Sequence, residues 1–276
     1  MPIRVGYALA IMPSPKIGVV FTAALLACVT CVYPSPFAQS KTSTSHGELN
    51  TLVPFVGCES DGQAGSVEAP RGKSKAVSIT ADLANRLAYY KSEQGLAVLA
   101  PRGWYCFGTY GSNGAELYVS PQPINTEDLL STKWGGLAGP AIEIAWESGD
   151  TSGRFEVARI IARVFPAHKA FVEQVMEEGI EPENSFAFGP YPKDNLTYKG
   201  KEIVEYQTPA WAEGLGTNSR LKKSTEPISG VAILAGKTPD LVFLAVRLAP
   251  DQTGLASAII QQVEDDAKHS HSVSAR

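Results

Sequence analysis

Positive charge is in short supply in this chain. Lys and Arg number 24 against 28 Asp and Glu, a formal charge of −4. The first 38 residues hold Arg4, Lys16 and no acid, so the rest of the chain stands at −4 − 2 = −6. Such a balance provides no basic face for nucleic acid and nothing to draw the folded part onto anionic lipid. Histidine is also scarce, with 4 in the chain. His46 precedes the folded part and His269 and His271 come after it, which leaves His168 as the one imidazole expected inside the fold. Outside the N-terminus, no run approaches the ~20 apolar residues that a membrane helix needs. No cofactor motif is present in the sequence.

The chain does hold Lys16 and, directly after it, an apolar run over residues 17–33. The run is short for a span and fits the hydrophobic region of a signal peptide with a basic flank. Pro34 and Pro36 then break any helix, and Ala38 offers a small residue for cleavage. The rival cut lies before Cys28, because Leu25-Leu26-Ala27-Cys28 resembles a bacterial lipobox, in which the cysteine is lipidated. A second apolar patch over 5–12 is out of place ahead of Lys16, so Met12 is the better start. These features predict a signal peptide over 1–38, a Ser/Thr-rich flexible linker over 39–51, one domain over 52–266 and a frayed tail over 267–276. The protein is expected in the periplasm or secreted, either free or anchored through Cys28, with a partner in the cell envelope.

Of the 4 cysteines, Cys28 and Cys31 lie in the signal segment, so Cys58 and Cys106 are the pair left to the folded part. In an oxidising compartment they are expected to bond, for ~4 kcal/mol of stabilisation in the chain-entropy model. Cys106 as a nucleophile activated by His168 is the alternative, near Cys58 and Asp61, and would make the protein a secreted hydrolase.

Hydrophobic periodicity predicts an α+β domain with a mixed, mostly antiparallel sheet and packed helices. Strands are expected over 76–79, 96–100, 104–110, 115–120, 141–147, 196–199, 201–207, 231–234 and 241–248. Asn113-Gly114 marks a hairpin turn. Residues 141–147 alternate, with Ile142, Ile144 and Trp146 on one side and Glu143 and Glu147 on the other. The 241–248 strand is apolar on both faces, as a central strand would be. Helices are expected over 81–94 behind Thr80, 153–165 behind Ser152, 167–178 and 253–265.

Two segments, Gly57-Cys58-Glu59-Ser60-Asp61-Gly62-Gln63 and Ala100-Pro101-Arg102-Gly103-Trp104-Tyr105-Cys106 with Tyr110-Gly111-Ser112-Asn113-Gly114, resemble a family of uncharacterised secreted bacterial proteins. Thr208-Pro209-Ala210 with Gly214-Leu215-Gly216-Thr217 is similar to it as well. The resemblance implies a bacterial envelope protein and assigns no catalytic residue.

The remaining constellations are incomplete. Ser112 between glycines lacks the Gly-x-Ser-x-Gly spacing of a nucleophile elbow. Glu143 and Glu147 lie ~13 Å apart along a strand, against the ~5–9.5 Å of glycosidase carboxyls, and read as a solvated face. His269-Ser270-His271 has no third ligand, and Asp61 with Gly62 lacks the acid spacing of a calcium loop. Glu156, Arg159 and Arg163 form a charged helix stripe. The glycine-rich stretch from Gly214 to Lys223 does not match a phosphate-binding loop, but Arg220, Lys222 and Lys223 in it make the candidate anion site. A non-catalytic binding or interaction domain is the reading that survives.

Overall fold

The computed structural model describes residues 50–124, 126–129, 131 and 134–274. Met12, Cys28 and the two expected cleavage points lie outside them. The elements run in the order β1 (Asn50–Cys58), β2 (Ser60–Gly62), β3 (Ser74–Ser78), α1 (Ala81–Arg86), β4 (Leu87–Ser92), β5 (Ala97–Pro101), β6 (Tyr105–Tyr110), β7 (Gly114–Ser120), α2 (Thr126–Leu129), β8 (Ala141–Glu147), α3 (Arg154–Val164), α4 (Lys169–Glu177), β9 (Asn195–Tyr198), β10 (Ile203–Thr208), β11 (Ile228–Ala235), β12 (Asp240–Arg247) and α5 (Ala256–Ser274). They build two sheets, of 4 strands in the order β3-β1-β4-β5 and of 8 in the order β2-β6-β7-β8-β12-β11-β10-β9. Pairing is antiparallel except between β1 and β4 and between β2 and β6. The class is α+β, as the periodicity predicts.

The eight-stranded sheet is the middle of three layers. One face, through Leu117, Ile142, Ile144, Val231 and Leu244, packs with Leu87, Tyr90 and Leu99 of the smaller sheet and with Ile259 and Val263 of α5. The other face, through Ala145, Val204, Ala232, Phe243 and Ala245, packs under Val157, Ile160 and Ile161 of α3 and Val172 and Val175 of α4. Strand β12 sends residues into both cores, which is why it carries no polar face.

Residues 81–94 do not form the single helix that the spacing of Leu83, Leu87 and Tyr90 predicts. Thr80 caps a helix, its hydroxyl accepting the Leu83 N–H, but that helix ends at Arg86. Leu87, Ala88, Tyr89 and Tyr90 are all buried, a pattern no one-sided helix satisfies. They run as β4 between β1 and β5, where both faces and both edges find partners. The α3 N-terminus also departs from expectation, since Gly153 rather than Ser152 is its cap residue and no side chain caps it. Helix α5 continues past Asp265 to Ser274.

Cys58 and Cys106 are bonded, with Cα atoms 5.4 Å apart. The bond ties the end of β1, in the smaller sheet, to β6, in the larger one.

The Asn113-Gly114 turn is present, closed by the Gly111 N–H donating to the Gly114 carbonyl at 2.9 Å. Gly114 does not need a left-handed backbone there. It is required by close approach, because a Cβ on it would lie 1.8 Å from the Trp146 carbonyl oxygen of β8. Gly114→Ala is therefore expected to push two paired strands apart and to cost ~2–3 kcal/mol. Urea unfolding of the variant checks this; a loss under about 0.5 kcal/mol, the usual surface value, would contradict it.

Candidate functional site

Helices α3 and α4 do not cover the whole sheet face above which they lie. Over β7 and β8 the floor changes from apolar to acidic. The β7–β8 register sets Glu116 opposite Ala145, with Tyr118 opposite Glu143 and Gly114 opposite Glu147. Glu116 is thus the diagonal neighbour of both Glu143 and Glu147, a relation that places Cβ atoms ~7–8 Å apart or somewhat less. The three carboxyls line a cavity of ≈430 Å³ walled by Phe155, Glu156 and Arg159 of α3, by Glu181, and by Asn218, Ser219 and Arg220.

Alternation along β8 divides its residues between the two faces as the sequence predicts, but the acidic face is not solvated. Glu143 is 4% exposed and Glu147 5%. Each has few partners. Glu143 Oε2 accepts the backbone N–H of Arg220 at 2.6 Å. Both oxygens of Glu147 accept from the Asn113 amide, at 3.3 and 3.1 Å. Glu116 Oε2 accepts from Thr109 Oγ1 at 2.8 Å and from the Tyr118 hydroxyl. Among the described residues, no donor reaches Oε1 of Glu143 or Oε1 of Glu116.

Burial, and then the charge of Glu116, push the Glu143 carboxyl up to about 8. The same two causes, in the same order, raise Glu147 to about 7. The Tyr118 phenol is raised by burial and by Glu143 and Glu116, and stays protonated. A protonated Glu143 can keep the Arg220 hydrogen bond on one oxygen and present a proton on the other.

The wall carrying Arg220 is held by Arg247. This side chain is fully buried, and burial lowers its pKa. It donates to the carbonyls of Gly139 at 2.8 and 2.5 Å, Leu137 at 2.6 Å, and Lys222. Leu137 and residues 220–222 are themselves joined, Leu137 N–H to the Arg220 carbonyl at 2.7 Å and Lys222 N–H to the Leu137 carbonyl at 2.9 Å. Arg247 is an interior charge whose work is to fix two loops against the sheet and so aim the Arg220 N–H at Glu143.

The other expected site residues are scattered over the fold. Arg220, Lys222 and Lys223 line a second cavity, of ≈410 Å³, with Trp134, Glu213 and Thr217. Arg220 is shared with the acidic cavity, and Lys223 lies 3.4 Å from Glu213. The Cys106 sulfur is in the disulfide, so it is no thiol nucleophile for His168, which sits at the junction of α3 and α4 with Nε2 buried and without a hydrogen-bond partner among the described residues. Ser112 is a turn residue 3.3 Å from Ser152 Oγ. Asp61 accepts the N–H of the adjoining Gly62 at 2.8 Å. In the helix stripe, Arg159 pairs with Glu156 at 2.6 Å and with Glu181 at 2.5 Å, while Arg163 lies 4.0 Å over the Tyr191 ring. Among the described residues no group of His, Cys, Asp or Glu is arranged to hold a metal ion.

Glu116 was not singled out by the sequence pattern. Its signal was an acid sharing a strand face with Tyr118, on a strand that the β6–β7 hairpin places inside the sheet. What the pattern does not carry is the pairing of β7 with β8, which brings this acid to the other two.

No protein-family model, curated protein sequence or solved structure matches this chain.

Proposed function

We propose that the folded unit is a binding domain working outside the cytoplasm, and that the acidic cavity over β7 and β8 is where its ligand sits. One observation carries this reading. The sheet buries Glu143 and Glu147 beside Glu116, with no salt bridge to either among the described residues, where apolar side chains would serve stability better. Side chains kept at such a cost, in a cavity within the range of small-molecule sites, are the pattern of a functional site. The location rests on the signal-like N-terminus and on a disulfide suited to an oxidising compartment; among the described residues no helix is long and apolar enough to cross a membrane. The resemblance to secreted bacterial proteins points the same way.

A melting-temperature screen against amines, sugars, amino acids and carboxylates tests the site. At least one class is expected to raise the melting temperature of the unaltered protein and not that of a Glu116→Gln/Glu143→Gln variant. No shift with any class would overturn the reading. For the location, mass spectrometry of fractionated host cells should find the protein outside the cytoplasm and lacking at least residues 1–27; an intact N-terminus in the cytoplasm would contradict it.

A second reading has an observation in its favour. Carboxyls raised to about 8 and about 7 beside a third one are the raw material of general acid–base catalysis. On that reading the cavity hydrolyses its ligand, and turnover of chromogenic esters or glycosides, lost in Glu143→Gln, would replace simple binding.

A further inference from the structure

The cavity offers more than negative charge. Two carboxyl oxygens that no donor reaches among the described residues, Oε1 of Glu116 and Oε1 of Glu143, belong to side chains that are diagonal neighbours on adjoining strands. Glu143 is almost wholly buried and still lines the cavity. Beside the acids the same cavity is bordered by carbon of Phe155, with the largely buried Leu241 and Phe243 behind it, which an inorganic ion would leave unused. A ligand matching both halves has several N–H donors at one end and a hydrocarbon chain behind it.

We infer that the cavity takes a primary ammonium group, seated between Oε1 of Glu116 and Oε1 of Glu143 with its carbon chain along Phe155, and that its arrival displaces a proton from the cavity to solvent. This rests on the reading of the cavity as a ligand site and names the ligand's class.

The charged groups facing the seat sum to that sign. From β7 come Glu116 and Tyr118, from β8 Glu143 and Glu147, from α3 Glu156 and Arg159, and from the loops Glu181 and Arg220. Five carboxyls thus face two guanidiniums, and with Glu143 and Glu147 carrying protons the carboxylates of Glu116, Glu156 and Glu181 still outnumber them. Arg159 is already engaged by Glu156 and Glu181, and Arg220, whose guanidinium lies 5.9 Å from the Trp134 ring centre, offsets part of the charge of Glu116 and Glu143. From β12 come Leu241 and Phe243, which are uncharged, and the hairpin contributes Asn113. An anion would meet the wrong field. A metal ion would find no ready set of ligands among the described residues. The proton balance is simple: Glu143 holds a proton at neutral pH, an ammonium ion enters already charged, and Glu143 ionises against it, leaving its proton to the buffer.

Titration calorimetry of the mature protein tests this with three probes: 1,4-diaminobutane, N-acetyl-lysine methylamide and the neutral 1,4-butanediol. Run near neutral pH in two buffers of different ionisation enthalpy, an amine is expected to bind with net proton release. Its affinity should rise by about tenfold per pH unit between about 6 and 7.5, the linkage slope for one proton. Glu143→Gln should abolish the proton release and weaken binding at least tenfold, as should Glu116→Gln, and the diol should not bind. Diaminobutane alone binding would mark a free amine as the source; the lysine derivative alone would mark a lysine side chain of a peptide. Amine binding without proton release, or unaffected by Glu143→Gln, would overturn the inference, as would equal binding of the diol. Failure of both amines while another compound shifts the melting of the unaltered protein and not of the variant would remove the inference and leave the cavity's role standing; failure of all compounds removes both.

Discussion

Raising the pH from about 5 to about 8.5 is expected to weaken the folded unit by a few kcal/mol, and Glu143→Gln should remove most of that loss. The sign is set by where the protons sit. In the unfolded chain Glu143 and Glu147 titrate near 4.5, whereas in the fold they are raised to about 8 and about 7. Between those limits the folded state holds protons that the unfolded state has released, so stability falls as pH rises. The fall should span 4.5 to about 7 for Glu147 and continue to about 8 for Glu143, then level off. Burial also raises Asp266 and Glu264, a contribution of the same sign. A glutamine at position 143 is nearly isosteric with a protonated glutamic acid, and its amide oxygen can still accept the Arg220 N–H. The variant should therefore be more stable than the unaltered protein at pH 8.5 and close to it at pH 5. Chemical unfolding across this range measures it; equal pH profiles for the two proteins would contradict the burial of an uncompensated carboxyl. A binding residue whose removal stabilises the protein is the expected signature of a function–stability trade.

Reduction of Cys58–Cys106 is expected to lower the melting temperature by on the order of 10 °C. The bond closes a loop with a sequence separation of 48, worth ~4 kcal/mol in the chain-entropy model. At this chain size ~1 kcal/mol moves the midpoint by ~2–4 °C. Where the bond lies adds to its weight. Within the loop fall β2, β3, α1, β4 and β5, so it encloses the smaller sheet except β1 and pins that sheet's first strand to β6 of the larger one. The Cys58→Ala/Cys106→Ala variant should melt at about the temperature of the reduced protein. Differential scanning calorimetry with and without reductant decides it, and a shift under about 2 °C would show that the two sheets are held by packing alone. Thiol labelling of the denatured, unreduced protein should find neither cysteine free.

Much of the architecture was legible in the residues because it rests on local pattern. The span of β8 is the one that alternation predicts, and the two-faced apolarity of the 241–248 stretch marked β12 as central. The disulfide emerged from simple elimination among four cysteines. Where the pattern misled, the cause was tertiary. Leu83, Leu87 and Tyr90 fit a helix face, and only pairing with β1 and β5 turns 87–92 into a strand. The cavity was illegible for a related reason. Alternation shows that Glu143 and Glu147 share a face but not what lies over it, and an acidic face is normally wet. Distance along a single strand also hid the cluster: Glu143 and Glu147 are far apart on β8, and it is Glu116, from the neighbouring strand, that stands between them. Long-range register, the 137–139 and 220–222 loops fixed by Arg247, and partial cover by α3 together make the site, and none of these is written in a local stretch of sequence.

The claim on which the functional reading depends is that burial beside Glu116 raises these two carboxyls well above the ordinary glutamate range. Carbon-detected NMR of the protein labelled at glutamate side-chain carboxyls reads this residue by residue. Two resonances are expected to titrate far from the rest, at about 8 and about 7, the first missing in Glu143→Gln and the second in Glu147→Gln. If both carboxyls instead titrate with the others near the ordinary value of ~4.3, the cavity is an open, solvated acidic surface and the account is wrong.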